Sequence, residues 1–172
     1  VQTPAAAADL AKLIDAKPGL RYAGLMTYPK AGLRKQMAAF LDEARHLATK
    51  AGLDTGIVSV GGTPDMWKDD GLEHINEYRA GTYIYCDRSL AERGTCTYDD
   101  CALTVLCTVV STPTNERALI DAGSKALTSD LLGLTGYGCV RALDGVRVYD
   151  QSEEHGFLDV SRLNDKPKVG DV

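Results

Sequence analysis

The sequence is poor in the features that mark several large protein classes. It has no excess of basic residues: 19 Lys and Arg face 24 Asp and Glu, giving a net charge of -5. A nucleic-acid binder would normally show a basic face, so that class is disfavoured. No apolar run approaches the length of a membrane span. No C-x-x-C pair occurs among the five cysteines, at 86, 96, 101, 107 and 139. An odd number without paired spacing argues against a disulfide framework or a zinc site, and predicts thiols in a reducing, cytoplasmic compartment, with Cys101 and Cys107 buried in apolar sequence. Internal repeats and low-complexity segments are absent apart from the Ala5–Ala8 run, which is simply good helix former. No signal-peptide pattern stands at the start, and Val1 is not an initiator methionine.

What is present is ordinary for a globular protein: 44% hydrophobic and 25% charged residues in a chain of 172. That length supports one or two domains with a real core. Thr3 followed by Pro4 reads as a hydroxyl N-cap with proline at the first helical position, opening a helix to about Ala16 that Pro18-Gly19 ends. Leu20 to Tyr28 reads as a strand. Met37, Phe40, Leu41, Ala44, Leu47 and Ala48 recur at helical spacing and predict a helix from Lys30 to Lys50, stopped at Gly52. Ile57-Val58-Ser59-Val60 is a β-branched run that ends in Gly61, Gly62, Thr63 and Pro64. Glycines at the end of a strand let backbone N–H groups approach an anion, and Thr63 adds a hydroxyl. A plain turn is the other reading of these residues.

The order helix, strand, helix, strand implies a parallel sheet or part of a (β/α) barrel. The pattern then changes. Glu77 to Cys86 alternates and reads as a strand, with Tyr83 and Tyr85 on one face and Thr82, Ile84 and Cys86 on the other. Cys101 to Thr112, Arg117 to Asp121, Gly138 to Ala142, Val146 to Tyr149 and Phe157 to Val160 read as further strands. Asp144-Gly145 between two of them is a hairpin signal. The second half is expected to be mostly antiparallel. A complete (β/α)8 barrel needs roughly 250 residues. The α/β portion is too short to close one, and both ends look cut.

Seven segments, in order, carry a resemblance. They are Gly24-Leu-Met-Thr-Tyr28, Ser59-Val-Gly-Gly-Thr-Pro64, Arg79-Ala-Gly-Thr-Tyr-Ile-Tyr-Cys-Asp87, Asp100-Cys-Ala-Leu-Thr104, Asp121-Ala-Gly-Ser-Lys-Ala-Leu-Thr-Ser-Asp130, Gly136-Tyr-Gly138 and Ser152-Glu-Glu-His-Gly156. Together they resemble the D-threonine aldolase and D-serine dehydratase family, pyridoxal-phosphate enzymes with an alanine-racemase-like fold. The resemblance implies the last strands and helices of a (β/α)8 barrel over residues 1–86, followed by a β domain over 87–172, incomplete at its C-terminal end. It places the Schiff-base lysine upstream of Val1 and the metal ligands after Val172. No catalytic residue is therefore expected in this chain, and the fragment alone should be inactive.

The resemblance implies cofactor contacts at Tyr28, Ser59, Gly61, Gly62, Thr63 and Tyr83. Tyr28 would stand beside the pyridine ring, and Gly61, Gly62 and Thr63 would hold the phosphate. For Thr82, Tyr83 and Tyr85 two readings stay open, a tyrosine reaching the phosphate or core packing. Lys125 invites a nucleophile reading but lies in the β domain, where an exposed or salt-bridged turn residue is expected. His155 stands near the expected metal site or serves a structural role, whereas His46, His74 and Asp99-Asp100 read as solvated. The implied activity is cleavage of D-β-hydroxy-amino acids, D-threonine among them, to glycine and an aldehyde, with a divalent metal (Mn, Mg or Zn). The alternative within the family is D-serine or 3-hydroxyaspartate dehydration. A small D-amino acid would be the partner, with no nucleic acid and no membrane, and the intact enzyme would be a homodimer. The alternative of another class is a non-catalytic β-rich binding or assembly domain.

Overall fold

The computed structural model describes residues 1–68, 73–141 and 143–172. They form two units, one of residues 1–86 and 90–100, the other of residues 87–89 and 101–172.

In the first unit, α1 (Pro4–Asp15) starts as its sequence dictates. The Thr3 Oγ1 accepts the Ala6 N–H at 3.2 Å, and proline occupies the first turn. Its alanines Ala7, Ala8 and Ala11 are buried, and Ala11 meets Ala48 of α2 (Arg34–Lys50) beside Tyr22. Methyl side chains on both sides let the two helices approach closely. The long helix begins later than the Lys30 read from the sequence. Gly32 takes a left-handed φ of +82° in a turn closed by Leu33 N–H to the Lys30 carbonyl, and helical geometry starts only after it.

The strands β1 (Gly24–Met26), β2 (Ile57–Gly61) and β3 (Glu77–Arg79) form a parallel sheet in the order β1-β2-β3. β1 is shorter than the sequence suggested, covering only three residues of Leu20–Tyr28, whereas β2 takes in the whole β-branched run Ile57–Val60. Val58 and Val60 are buried with Met37 and Leu41 of α2, joined by Leu25, Ile75 and Tyr78. The in-register row Met26, Ser59 and Glu77 and the pair Gly61 and Arg79 occupy the opposite face. Gly24, at φ +154°, marks a close approach of β1 and β2, since a Cβ there would stand 1.9 Å from the Ile57 carbonyl oxygen.

The expected strand from Glu77 to Cys86 is corrected. It stops at Arg79, whose register partner Gly61 is the last residue of β2, so the chain beyond has no neighbour to pair with. Thr82–Ile84 instead forms a 3-10 turn, and Cys86 follows at φ +51°. A short helix α3 (Arg88–Glu92) comes next, and the turn at Tyr98–Asp100 carries Asp99 and Asp100.

The second unit is an antiparallel sheet of β4 (Val109–Thr114), β5 (Arg117–Ile120), β6 (Gly138–Cys139), β7 (Arg147–Gln151) and β8 (Gly156–Asp159), ordered β4-β5-β8-β7-β6. Ala118, Leu158 and Val148 form one in-register row across β5, β8 and β7, and all three are buried. Val109, Ile120, Ala122, Val146 and Val160 complete that core. Gly145, at φ +74°, turns the β6–β7 hairpin as Asp144-Gly145 predicted. The predicted strand Gly138–Ala142 is described as Gly138–Cys139, and Ala142 itself lies outside the described residues. The run from Cys101 yields no strand before Val109, the residue paired with Ile120 at the end of β5. Cys101 and Cys107 are half-buried rather than buried. Near the C-terminus, Gly170 and Asp171 exchange backbone hydrogen bonds with Val109 at 2.9 and 2.8 Å, along the edge of β4. No described helix is long and apolar enough to cross a membrane.

Candidate functional site

The carboxyl ends of β1 and β2 bring together three of the residues singled out by sequence. Gly62 follows β2 at φ +124°, a conformation that favours glycine. The Tyr28 ring lies over it: a Cβ built on Gly62 would stand 3.6 Å from Tyr28 Cζ. Tyr28 is 69% exposed, so its ring is open on the side away from Gly62. Thr63 is buried and begins a short 3-10 turn, Thr63–Asp65. Its hydroxyl oxygen accepts the Gly81 N–H at 3.3 Å, which draws the segment after β3 to the same place. Ligands of parallel α/β sheets bind beyond the carboxyl ends of the strands, where Tyr28, Gly62, Thr63 and Gly81 gather.

Gly61 is the last residue of β2, and a Cβ there would come within 2.8 Å of the Arg79 carbonyl. Ser59 faces the polar side of the sheet. Its hydroxyl donates to the Glu77 carboxylate and accepts from Arg79 Nε at 2.8 Å. Arg79 Nη2 continues to the Thr27 carbonyl at 2.9 Å, so one guanidinium ties all three strands together. Tyr83 stands in the 3-10 turn rather than on a strand, with half its surface exposed. No described hydrogen bond links its side chain to Gly61, Gly62 or Thr63.

Behind the turn lies a buried polar cluster. Arg34 and Asp65 are 4% and 6% exposed. Asp65 accepts the Gly32 N–H at 3.2 Å and Lys68 Nζ at 2.8 Å. Burial alone would push its carboxyl up, but the hydrogen bonds from Lys68 and Gly32 and the charges of Lys68 and Arg34 outweigh it and hold it below the ordinary carboxylate range. The Tyr78 hydroxyl is pushed up, first by burial. Sequence reading missed Arg34, Asp65, Tyr78, Glu77, Arg79 and Gly81. Arg79 and Gly81 open the quoted segment Arg79–Asp87, but the strand-like alternation of the residues after them drew the site reading to Tyr83 instead.

The donors at this place suit a phosphate: a glycine-lined turn, a buried threonine hydroxyl and an open tyrosine face. Nothing comparable exists for a metal, because no cluster of three His, Cys, Asp or Glu among the described residues is placed to hold one. His155 sits in the exposed turn between β7 and β8, its N–H on Ser152 Oγ at 3.3 Å. Lys125 forms ion pairs with Glu154 and Glu153 at 2.5 and 3.6 Å on the surface of the second unit. His46 is exposed, and His74 lies 4.0 Å from Asp42.

Comparison with known proteins is consistent across both units. Residues 2–89 match the family model of the alanine racemase N-terminal domain, and residues 102–172 match the putative serine dehydratase domain. D-threo-3-hydroxyaspartate dehydratase of Delftia sp. (strain HT23) is 31% identical over 162 residues, covering 81% of this chain and 43% of that protein. D-threonine aldolase of Arthrobacter sp. is 25% identical over 169 residues, covering 90% and 43%. The crystal structure of an alanine racemase-like protein from Idiomarina loihiensis superposes with a TM-score of 0.77 at 30% identity, covering 98% of this chain and 51% of that one. The chain spans about half the length of the curated relatives it matches.

Proposed function

The chain belongs to the alanine racemase N-terminal domain family, in its D-threonine aldolase and D-serine dehydratase group, and from that premise we propose that it is part of a pyridoxal-phosphate-dependent lyase acting on D-β-hydroxy-amino acids. The observation that carries the reading is the meeting of Tyr28 with Gly62 and Thr63 at the carboxyl ends of the parallel strands. In this reading residues 1–86 are the last part of a (β/α)8 barrel and residues 87–172 are its β domain. Gly61, Gly62 and Thr63 line the phosphate site, the Thr63 N–H and hydroxyl serving as donors while the Gly62 N–H is bonded to the Arg79 carbonyl at 3.4 Å, and Tyr28 covers one face of the ring. Ser59 and Arg79 fix the strand ends beneath it. Tyr83 and His155 remain candidates at the margin of the pocket. When bound, the cofactor supplies an electron sink for the bond that breaks at the substrate α-carbon. This chain binds and orients it.

The favoured reaction is aldol cleavage of D-threonine-like substrates to glycine and an aldehyde. Two relatives named as aldolases, the Arthrobacter protein and 3-hydroxy-D-aspartate aldolase of Paracoccus denitrificans, cover 90% and 98% of this chain. Dehydration is the second reading, favoured by the 31% identity to the Delftia dehydratase. Supplying the complete protein with D-threonine and D-serine separately, and assaying glycine against pyruvate, separates them. Absence of glycine from D-threonine sinks the aldolase reading. Intact-mass measurement after borohydride trapping tests the cofactor: one pyridoxyl adduct is expected on the complete protein, and none overturns the assignment. A homodimer in the cytoplasm and a divalent metal held by residues outside this chain complete the proposal.

A further inference from the structure

Each carbonyl of the Gly62–Asp65 turn is captured. The Tyr78 hydroxyl donates to the Gly62 carbonyl at 2.8 Å, Thr95 Oγ1 to the Pro64 carbonyl at 2.8 Å, and Arg34 Nη1 to the Asp65 carbonyl at 2.6 Å. The Met66 N–H takes the Thr63 carbonyl at 3.1 Å. The C=O and N–H of one trans peptide point in opposite directions, and no described peptide is cis. Anchoring the Gly62 carbonyl on Tyr78 therefore turns the Thr63 N–H away from Tyr78. Anchoring the Pro64 carbonyl on Thr95 likewise turns the Asp65 N–H away from Thr95. Tyr78 belongs to the apolar cluster under α2, and Arg34 is buried at the start of that helix, so both anchors are themselves held by packing.

We propose that Tyr78 and Thr95, with Arg34 fixing the end of the turn, are positioning residues that set the directions of the Thr63 and Asp65 N–H groups in advance for a phosphate monoester. The inference rests on the reading of Gly61–Thr63 as the phosphate loop. It gives three side chains that never touch the cofactor a share in its affinity, because fixed donors lose no freedom when the anion arrives. The side chains differ in type and come from α2, β3 and the segment after α3, yet they converge on three of four consecutive residues. A turn formed only to reverse the chain would not need this many side-chain anchors.

The test uses the complete protein stripped of cofactor and titrated with pyridoxal phosphate and, separately, with pyridoxal, which lacks the phosphate. Wild type is expected to prefer the phosphate ester. Tyr78→Phe should weaken pyridoxal phosphate by about tenfold, the effect of one lost hydrogen bond, while leaving pyridoxal unchanged. Thr95→Val should move in the same direction and serves if Tyr78→Phe fails to fold. Parallel losses for both ligands, or no loss for either, overturn the positioning role while leaving the phosphate loop in place. A wild-type protein with no preference for the phosphate ester overturns both the loop and its anchors.

Discussion

In the antiparallel unit, Ala118, Ile120, Val148 and Leu158 lie at 5% exposure or less and turn one apolar face inward. In the parallel sheet Val58 and Val60 do the same toward α2, but Met26 and Tyr28 near the opposite face are 74% and 69% exposed. That second face carries Ser59, Glu77 and Arg79 bonded to one another. The antiparallel sheet is built to close a core and the parallel sheet to present polar groups. Side chains free of packing duty are the ones that chemistry can use, which is why every candidate cofactor contact gathers in the parallel unit.

The contrast can be broken in several ways. The largest effect should come from Leu158→Ala, which empties the centre of the antiparallel core and should cost about 3 kcal/mol in a denaturation experiment. A loss below about 1 kcal/mol would mean that this core is not the close-packed one its burial indicates. Gly156→Ala and Gly61→Ala come next, because added methyls would meet carbonyl oxygens at 2.6 and 2.8 Å in the two sheets. Each should cost about 2 kcal/mol. Only Gly61→Ala should also weaken pyridoxal phosphate in the complete protein, and equal effects on binding would erase the distinction between the sheets.

A smaller effect concerns acid. The Asp65 carboxyl is held below its ordinary value of 3.8 in the folded protein. Its contribution to stability is complete above the unfolded value and is lost as pH falls through the folded one. Asp65→Asn should therefore flatten the acid limb of the stability profile below about pH 5. An unchanged limb refutes the buried cluster as its source. The smallest effect is expected at Lys125, whose pairing with Glu153 and Glu154 is exposed to solvent. Lys125→Ala should leave the unfolding midpoint unmoved.

Much of this was legible in the residues. Thr3-Pro4 located the first helix, the alanine and leucine spacing located the second, and Asp144-Gly145 located a hairpin. The alternation of α and β elements implied a parallel sheet. What the sequence hid was partnership. Thr82 to Cys86 alternates like a strand, but β2 ends at Gly61 and leaves it nothing to pair with. Residues before Val109 failed for the same reason beside β5. The turn's anchors were invisible because Arg34, Tyr78 and Thr95 are distant from it in sequence and act on backbone carbonyls, which no motif records.

Gly24 has one more consequence. Its missing side chain is the space occupied by the Ile57 carbonyl, with 1.9 Å where a methyl carbon would need nearly twice that. In a library containing every amino acid at every position, this site should tolerate a vocabulary of one. Any chimera that exchanges β1 for a strand from another protein must bring its own glycine to that register or lose its place beside β2.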